Sequence, residues 1–78
     1  MTLVDLAPGQ RATLSTIGGD RAFRRRLMEL GFVPGSVVEL RKVAPLGDPL
    51  EFAVRGCSVS IRRREAAAID ATREGAST

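Results

Sequence analysis

The sequence predicts a mainly β domain with one short α-helix. Apolar residues repeat with helical spacing in one stretch, at Phe23, Leu27 and Leu30. The other apolar segments are short, and Gly- or Pro-containing turns separate them. Such turns demand antiparallel pairing, and a small curled sheet needs closure to hide its edges. We therefore expect a small SH3-like antiparallel β-barrel with the helix packed over one end.

The helix carries its own start and stop signals. Asp20 precedes it, where a carboxylate can accept hydrogen bonds from free backbone N–H groups. Gly31 stands where a left-handed residue ends a helix, and Phe32 can then fold back onto Leu27. Residues 33–36 suit a type II turn, because proline fixes the first central φ and glycine accepts a positive second one. The helix is thus expected between residues 20 and 31.

Five strands are expected around this helix. The predicted strands are 11–17, 36–43, 50–55, a fourth through Val59 and Ile61, and a last short one at 68–71. Ile17 breaks the alternation of the first strand, which indicates a bulge or bend. A tight hairpin turn is expected at residues 55–57, and one helical turn at residues 63–67. The predicted core comprises Leu14, Ile17, Phe23, Leu27, Leu30, Phe32, Val38, Leu40, Leu50, Phe52, Val54, Val59, Ile61 and Ile69.

The chain has 78 residues, which is enough for one small core. We expect the domain to occupy residues 1–72 and a small polar tail to occupy residues 73–78. The sequence contains neither a basic secretory leader nor an apolar run of the ~20 residues that a membrane span needs. Its single cysteine cannot form an internal disulfide, so a cytoplasmic location is expected.

The composition offers little for catalysis. Histidine is absent, which removes the commonest general base near neutral pH and the commonest metal ligand. Cys57 has no second cysteine with which to share a metal and no histidine to activate it. The Gly-Gly-Asp sequence before the helix is no phosphate loop, because it lacks the Lys-Ser/Thr ending and Asp20 would repel an anion. The sequence predicts neither an enzyme, nor a cofactor, nor a small-molecule substrate.

The surface offers two arginine clusters, at residues 24–26 and 62–64, within a net charge of +3. They form either a solvated face or a basic surface for nucleic acid or for an acidic protein. Nucleic acid is the less favoured partner, because the three aromatic residues are all assigned to the core and none is left for base stacking.

Two apolar residues are left over once the core is filled. Met28 lies roughly 140° around the helix from Phe23, away from the buried stripe. Leu46 is at the tip of the loop at residues 44–49. Each of the two either covers a local loop contact or is offered to a partner. With the neighbouring charges, the candidate partner-binding residues are Arg24, Arg25, Met28, Leu46 and Asp48.

Several segments of the chain together resemble the FeoA family. They are Leu-Ala-Pro-Gly at 6–9, Leu-Gly-Phe-Val-Pro-Gly at 30–35, Ala-Pro-Leu-Gly-Asp-Pro at 44–49, Arg-Gly at 55–56 and Arg-Arg-Glu-Ala at 63–66. Any one of them would be a weak signal, but the series covers nearly the whole chain in order. The resemblance implies an SH3-like fold without catalytic residues. It implies no settled metal site, although binding of transition metal ions is associated with the family.

The resemblance also implies a function. FeoA proteins are small cytosolic partners of the ferrous-iron transporter FeoB, so we expect an adaptor that binds the transporter's cytosolic part and modulates its GTPase or transport activity. Location would then be cytoplasmic, with peripheral attachment to the inner membrane only through that partner. A related domain occurs at the C-terminus of iron- and manganese-dependent repressors, so one alternative is a free-standing module of that kind. A second alternative is a small basic barrel that binds nucleic acid. The sequence is also compatible with a homo-oligomer in which two copies pair through an uncapped sheet edge.

Overall fold

One antiparallel sheet of five strands forms most of the molecule, which is described over residues 1–73 in a computed structural model. In chain order the elements are a 3₁₀ turn at Leu3–Asp5, β1 Arg11–Ile17, α1 Arg21–Glu29, β2 Val37–Val43, β3 Leu50–Val54, β4 Cys57–Ile61, α2 Arg63–Ala66 and β5 Ile69–Arg73. The predicted elements are confirmed to within two residues at each boundary. Of the expected tail at 73–78, Arg73 is the last residue of β5 and residues 74–78 lie outside the described part.

The strands are arranged in the order β4-β3-β2-β1-β5, so β4 and β5 lie at the edges. Two shifts of register bend the sheet. One lies between Leu14 and Thr16, where β1 pairs with β5, and the other between Leu40 and Lys42, where β2 pairs with β3. An extra residue on one strand increases the local twist and curls a small sheet around its apolar face. The irregularity expected near the end of the first strand is thus confirmed.

The core fills the concave side of this sheet. Twelve of the fourteen predicted core residues are buried. Leu30 was wrongly placed there: it is 44% exposed, because it caps α1 and the chain turns away before it can reach the interior. Phe23 is only half-buried and packs against the margin of the core. Burial was not predicted for four further residues, because short elements contain too few residues to show a repeating apolar pattern. These residues are Leu3, Leu6, Ala66 and Ala71.

The end of α1 is a Schellman turn built on Gly31. Gly31 has a φ of 99°, and its N–H donates to the Met28 carbonyl at 3.1 Å. The Phe32 N–H donates to the Leu27 carbonyl at 2.8 Å, which is the defining bond of the motif. The reversal turns the Phe32 ring inward, where it packs edge-to-face with Phe52, with ring centroids 6.1 Å apart. Helix and sheet are therefore joined at this point.

The β3–β4 hairpin is closed by a two-residue turn. Arg55 and Gly56 have φ values of 51° and 80°, which are the two positive angles of a type I′ turn. The sheet requires this turn because its twist matches that of the flanking strands. Glycine accepts the conformation freely, whereas arginine is strained in it.

Replacement of Arg55 by asparagine should relieve that strain. Asparagine tolerates the left-handed region, so Arg55→Asn is expected to raise the free energy of unfolding by about 0.5–1 kcal/mol in chemical denaturation. Arg55→Ala is the control, because it removes the same charge and keeps the unfavourable φ. An equal gain in both variants would show that charge, and not backbone strain, limits stability at this turn.

Candidate partner-binding surface

Helix α1 is fixed at both ends and on one side. Its first turn is capped by the Asp20 carboxylate, which accepts a hydrogen bond from the Phe23 N–H at 2.8 Å. Leu27 is fully buried and anchors the middle of the helix to the core. The Schellman turn holds the other end. A helix fixed in this way presents one constant face to solvent.

The four arginines of α1 have different environments. Arg26 lies 5.7 Å from the centre of the Phe23 ring and donates a hydrogen bond of 2.9 Å to Glu65 in α2. It therefore covers the half-buried phenyl ring and ties the two helices together. Arg24 donates to the Gly19 carbonyl at 3.2 Å. For Arg25, within residues 1–73, neither a salt bridge nor a side-chain hydrogen bond is observed.

The outward face of α1, here called the α1 face, consists of Arg21, Arg24, Arg25, Met28 and Glu29. These side chains enclose a shallow groove of about 390 Å³. Met28 is 55% exposed and lies between the arginine stems of this face. A soft thioether surrounded by guanidinium groups can contact an apolar side chain whose neighbours are carboxylates.

The charge on this face lowers the stability of the helix. Arg21 occupies the first helical position, where the backbone dipole is positive, and α1 has no acidic residue in its first turn. Arg21 and Arg25 are also four residues apart, a spacing at which like charges repel. A helix selected for stability alone would carry acidic residues at its start. Arg21 and Arg25 therefore do not add to the stability of the helix start.

The loop at residues 44–49 offers a second apolar contact. Leu46 is 97% exposed, at the tip of a turn in which the Gly47 N–H donates to the Ala44 carbonyl at 2.7 Å. The loop is held from α2: the Arg63 Nε donates to the Gly47 carbonyl at 2.8 Å, and the Arg63 N–H donates to Asp48 Oδ1 at 2.9 Å. Leu46 thus lies exposed on a loop that is hydrogen-bonded to α2, and the Asp48 carboxylate accepts one of those hydrogen bonds.

The predicted partner-binding residues fall into two groups. Arg24, Arg25 and Met28 share the α1 face, whereas Leu46 and Asp48 belong to the loop. Helix α2 is bonded to α1 through Glu65 and Arg26, and to the loop through Arg63. Sequence reasoning missed Arg21. The signal was available, because Arg21, Arg24, Arg25 and Met28 follow the i, i+3, i+4, i+7 spacing of one helix face.

The described part of the chain bears on three other kinds of site: a metal centre, a base-stacking surface and a membrane span. Within residues 1–73 no three His, Cys, Asp or Glu side chains are grouped so that they could hold a metal ion. Cys57 is a free, exposed thiol beside the hairpin turn. Phe32 and Phe52 are fully buried, so neither ring is available to stack on a base, and the half-buried Phe23 ring is covered by Arg26. No helix among these residues has the length and apolar character needed to cross a membrane.

Comparison with known proteins gives consistent results. The FeoA domain family matches residues 1–73. A fusion of Fe(2+) transport protein A with the Fe(2+) transporter FeoB, from Porphyromonas gingivalis, is 37% identical over 70 residues, which are 90% of this chain and 8% of the fusion. The chain thus spans a small part of that relative's length.

Solved structures agree in fold. The solution structure of FeoA from Chlorobium tepidum has a TM-score of 0.91 and 39% identity, and the match covers 95% of this chain and 70% of that one. The crystal structure of Stenotrophomonas maltophilia FeoA complexed with zinc, described as a prokaryotic SH3 domain protein, has a TM-score of 0.78 and 32% identity over 91% of this chain and 88% of that one. The predicted SH3-like, mainly β fold is thereby confirmed.

Reversal of the charge at residue 21 should stabilise the domain. Arg21→Glu places a negative charge at the helix start and an attractive partner four residues before Arg25, so the free energy of unfolding is expected to rise by roughly 0.5–1.5 kcal/mol. Arg41→Glu on β2 makes the same change of charge away from α1 and is the control; because it also breaks the exposed contact of Arg41 with Glu39 at 3.9 Å, it should not gain stability. The gain should shrink in molar salt. A loss of stability in Arg21→Glu would show that the positive charge at residue 21 does not destabilise the start of the helix.

The role of Asp48 in the loop can be measured by its removal. Asp48→Ala leaves the Arg63 N–H without its acceptor, so we expect the free energy of unfolding to fall by about 0.5–2 kcal/mol. Asp48→Asn retains an acceptor and should lose less. Leu46→Ser changes a fully exposed neighbour and should stay within about 0.5 kcal/mol of the parent. Equal stability of Asp48→Ala and Leu46→Ser would show that the anchor does not contribute.

Proposed function

The chain belongs to the FeoA family, and from this we propose that it is a non-catalytic adaptor that binds the cytosolic part of an FeoB-type ferrous-iron transporter and modulates its GTPase or transport activity. The observation that carries the proposal is the relative in which an FeoA and an FeoB are fused in one polypeptide. Fusion keeps two domains at high effective concentration, which is useful when they must contact one another. The same contact between separate chains requires a binding surface.

The α1 face has the properties of such a surface. Arginine is enriched at the centres of protein interfaces, because its planar fork binds carboxylates and its stem packs against apolar groups. Arg21 and Arg25 can meet acidic side chains while Met28 enters a shallow apolar pocket. Because the helix is fixed at both ends, little conformational entropy is lost on binding. The partner surface should therefore be acidic around an apolar centre.

The loop supplies a second contact. Leu46 is almost completely exposed on a loop that Arg63 and Asp48 hold in place. An isolated leucine on a loop with a fixed backbone can fill a small pocket at modest entropic cost. We assign to Leu46 a contact with the transporter, and to Asp48 the positioning of that leucine.

Modulation follows if the two states of the transporter's GTPase part are bound unequally. A docked domain shifts an equilibrium between two conformations only by the ratio of its affinities for them. A tenfold difference in affinity, about 1.4 kcal/mol, suffices to change the population of the active state substantially. No reaction on the adaptor itself is required.

Acidic substitutions in the two groups test this proposal. Met28→Asp and Leu46→Asp each place a carboxylate where an apolar contact is expected, so each should weaken binding to the purified full-length transporter by about tenfold or more, in calorimetry or in interferometry. The double variant should bind more weakly than either single variant. Stimulation or inhibition of GTP hydrolysis should change in parallel with the affinity.

Matched variants distinguish a loss of the apolar contact from a general effect of net charge on binding. Met28→Leu keeps an apolar side chain and should retain binding. Arg41→Glu lowers the net charge at a residue of β2 outside the α1 face and should also retain binding. Unchanged affinity of the double aspartate variant would refute the assigned surface. Binding of single-stranded RNA or DNA at micromolar concentration with a steep salt dependence, in the absence of transporter binding, would refute the function itself.

A further inference from the structure

The outer edge of β4 exposes unused backbone groups. In the hairpin, Val54 pairs with Cys57 directly across a two-residue turn, so these two residues exchange both of their hydrogen bonds. Bonded and non-bonded pairs alternate along an antiparallel ladder, and Val59 and Ile61 are therefore also bonded to β3. The N–H and C=O groups of Ser58 and Ser60 must then point away from the sheet.

These groups are open to solvent. Both serines are exposed, and within residues 1–73 no backbone or side-chain hydrogen bond to their outward groups is observed. The five paired positions of β4 follow one another without a shift of register, in contrast to those of β1 and β2. The edge is therefore straight enough to accept another strand.

The two edges of the sheet differ in whether another part of the chain covers them. The β5 edge is covered by the chain's own start, since Thr2 bridges to Asp70 and the Ala71 N–H donates to the Met1 carbonyl at 2.8 Å. Three common protections are missing from the β4 edge within residues 1–73: the strand sequence, Cys-Ser-Val-Ser-Ile, contains no proline, no charge and no bulge. An edge left in this condition is suited to strand addition.

We propose that the β4 edge binds an extended acidic segment of a partner polypeptide by strand addition. The backbone groups of Ser58 and Ser60 bond the incoming strand, which therefore needs about five residues without proline at the bonded positions. The choice of an acidic segment follows from the flanks. Arg55 precedes the strand and Arg62 follows it, both exposed, and within residues 1–73 neither belongs to an ion pair.

The same charges disfavour a second copy of this chain as the occupant. Antiparallel pairing of the strand with its copy, centred on Val59, would set Ser58 against Ser60 of the second copy. It would also bring Arg55 of one chain close to Arg62 of the other, and both chains carry a net charge of +3. Repulsion at both ends of so short a ladder makes an acidic strand the better complement. The β4 edge shares no residue with the α1 face.

A peptide that contains no transporter sequence tests the proposal. An end-blocked peptide with a Thr-Val-Thr-Val-Thr centre and two glutamates at each end is titrated into the isotopically labelled protein and followed by amide NMR. The largest shifts are expected at residues 57–61, with slower hydrogen exchange at the Ser58 and Ser60 amides. The same peptide with lysines in place of the glutamates should bind at least tenfold more weakly.

Two variants at one position identify the backbone as the binding group. Ser60→Pro removes an outward N–H that the sheet does not use and should abolish binding, whereas Ser60→Ala keeps the N–H and should preserve it. Circular dichroism verifies folding, and Ser58→Pro is the substitute if Ser60→Pro unfolds. Absence of shifts at millimolar peptide, equal binding of the lysine peptide, or dimerisation that Ser60→Pro disrupts would each overturn the proposal. Its failure leaves the proposed binding of FeoB through the α1 face standing, since the probe is unrelated to the transporter.

Discussion

The hydrogen bond from the Phe32 N–H to the Leu27 carbonyl is the contact on which this small structure depends. It ends α1, reverses the chain at Gly31 and directs Phe32 into the core against Phe52. With Leu27 buried one turn before it, the helix has a single rotational setting. The outward direction of Met28 and of the neighbouring arginines is a consequence of that setting.

A domain of this size has a small reserve of stability, on the order of a few kcal/mol. It nevertheless keeps Arg21 at the positive end of α1 and Arg55 in a left-handed turn, two choices that lower stability. Local conflicts of this kind are typical of binding sites, where selection acts on the exterior as well as on the fold. The contact of Arg26 with Glu65 at 2.9 Å ties α1 to α2.

Most of the fold could be predicted from the sequence because its signals are local. The two ends of the helix are marked by Asp20 before it and by Gly31 with the Pro-Gly turn after it. The alternation of apolar and polar residues in β3 identifies that segment as a strand with one buried face. Leu30 was misplaced because a periodic pattern does not show where the chain leaves the helix. The anchoring of Asp48 by Arg63 joins residues fifteen positions apart, and no sequence period reports such a contact. The open β4 edge likewise became visible only once the strand order was known.

The central claim is that the fixed outer face of α1 is the docking surface for the transporter. The chain contains two methionines, of which only Met28 lies on that face, so methyl-labelled methionine gives two NMR signals with an internal control. On addition of the full-length transporter in detergent micelles, the Met28 methyl signal should shift or broaden while that of Met1 keeps its position. Formation of the complex with an unchanged Met28 signal would contradict the claim.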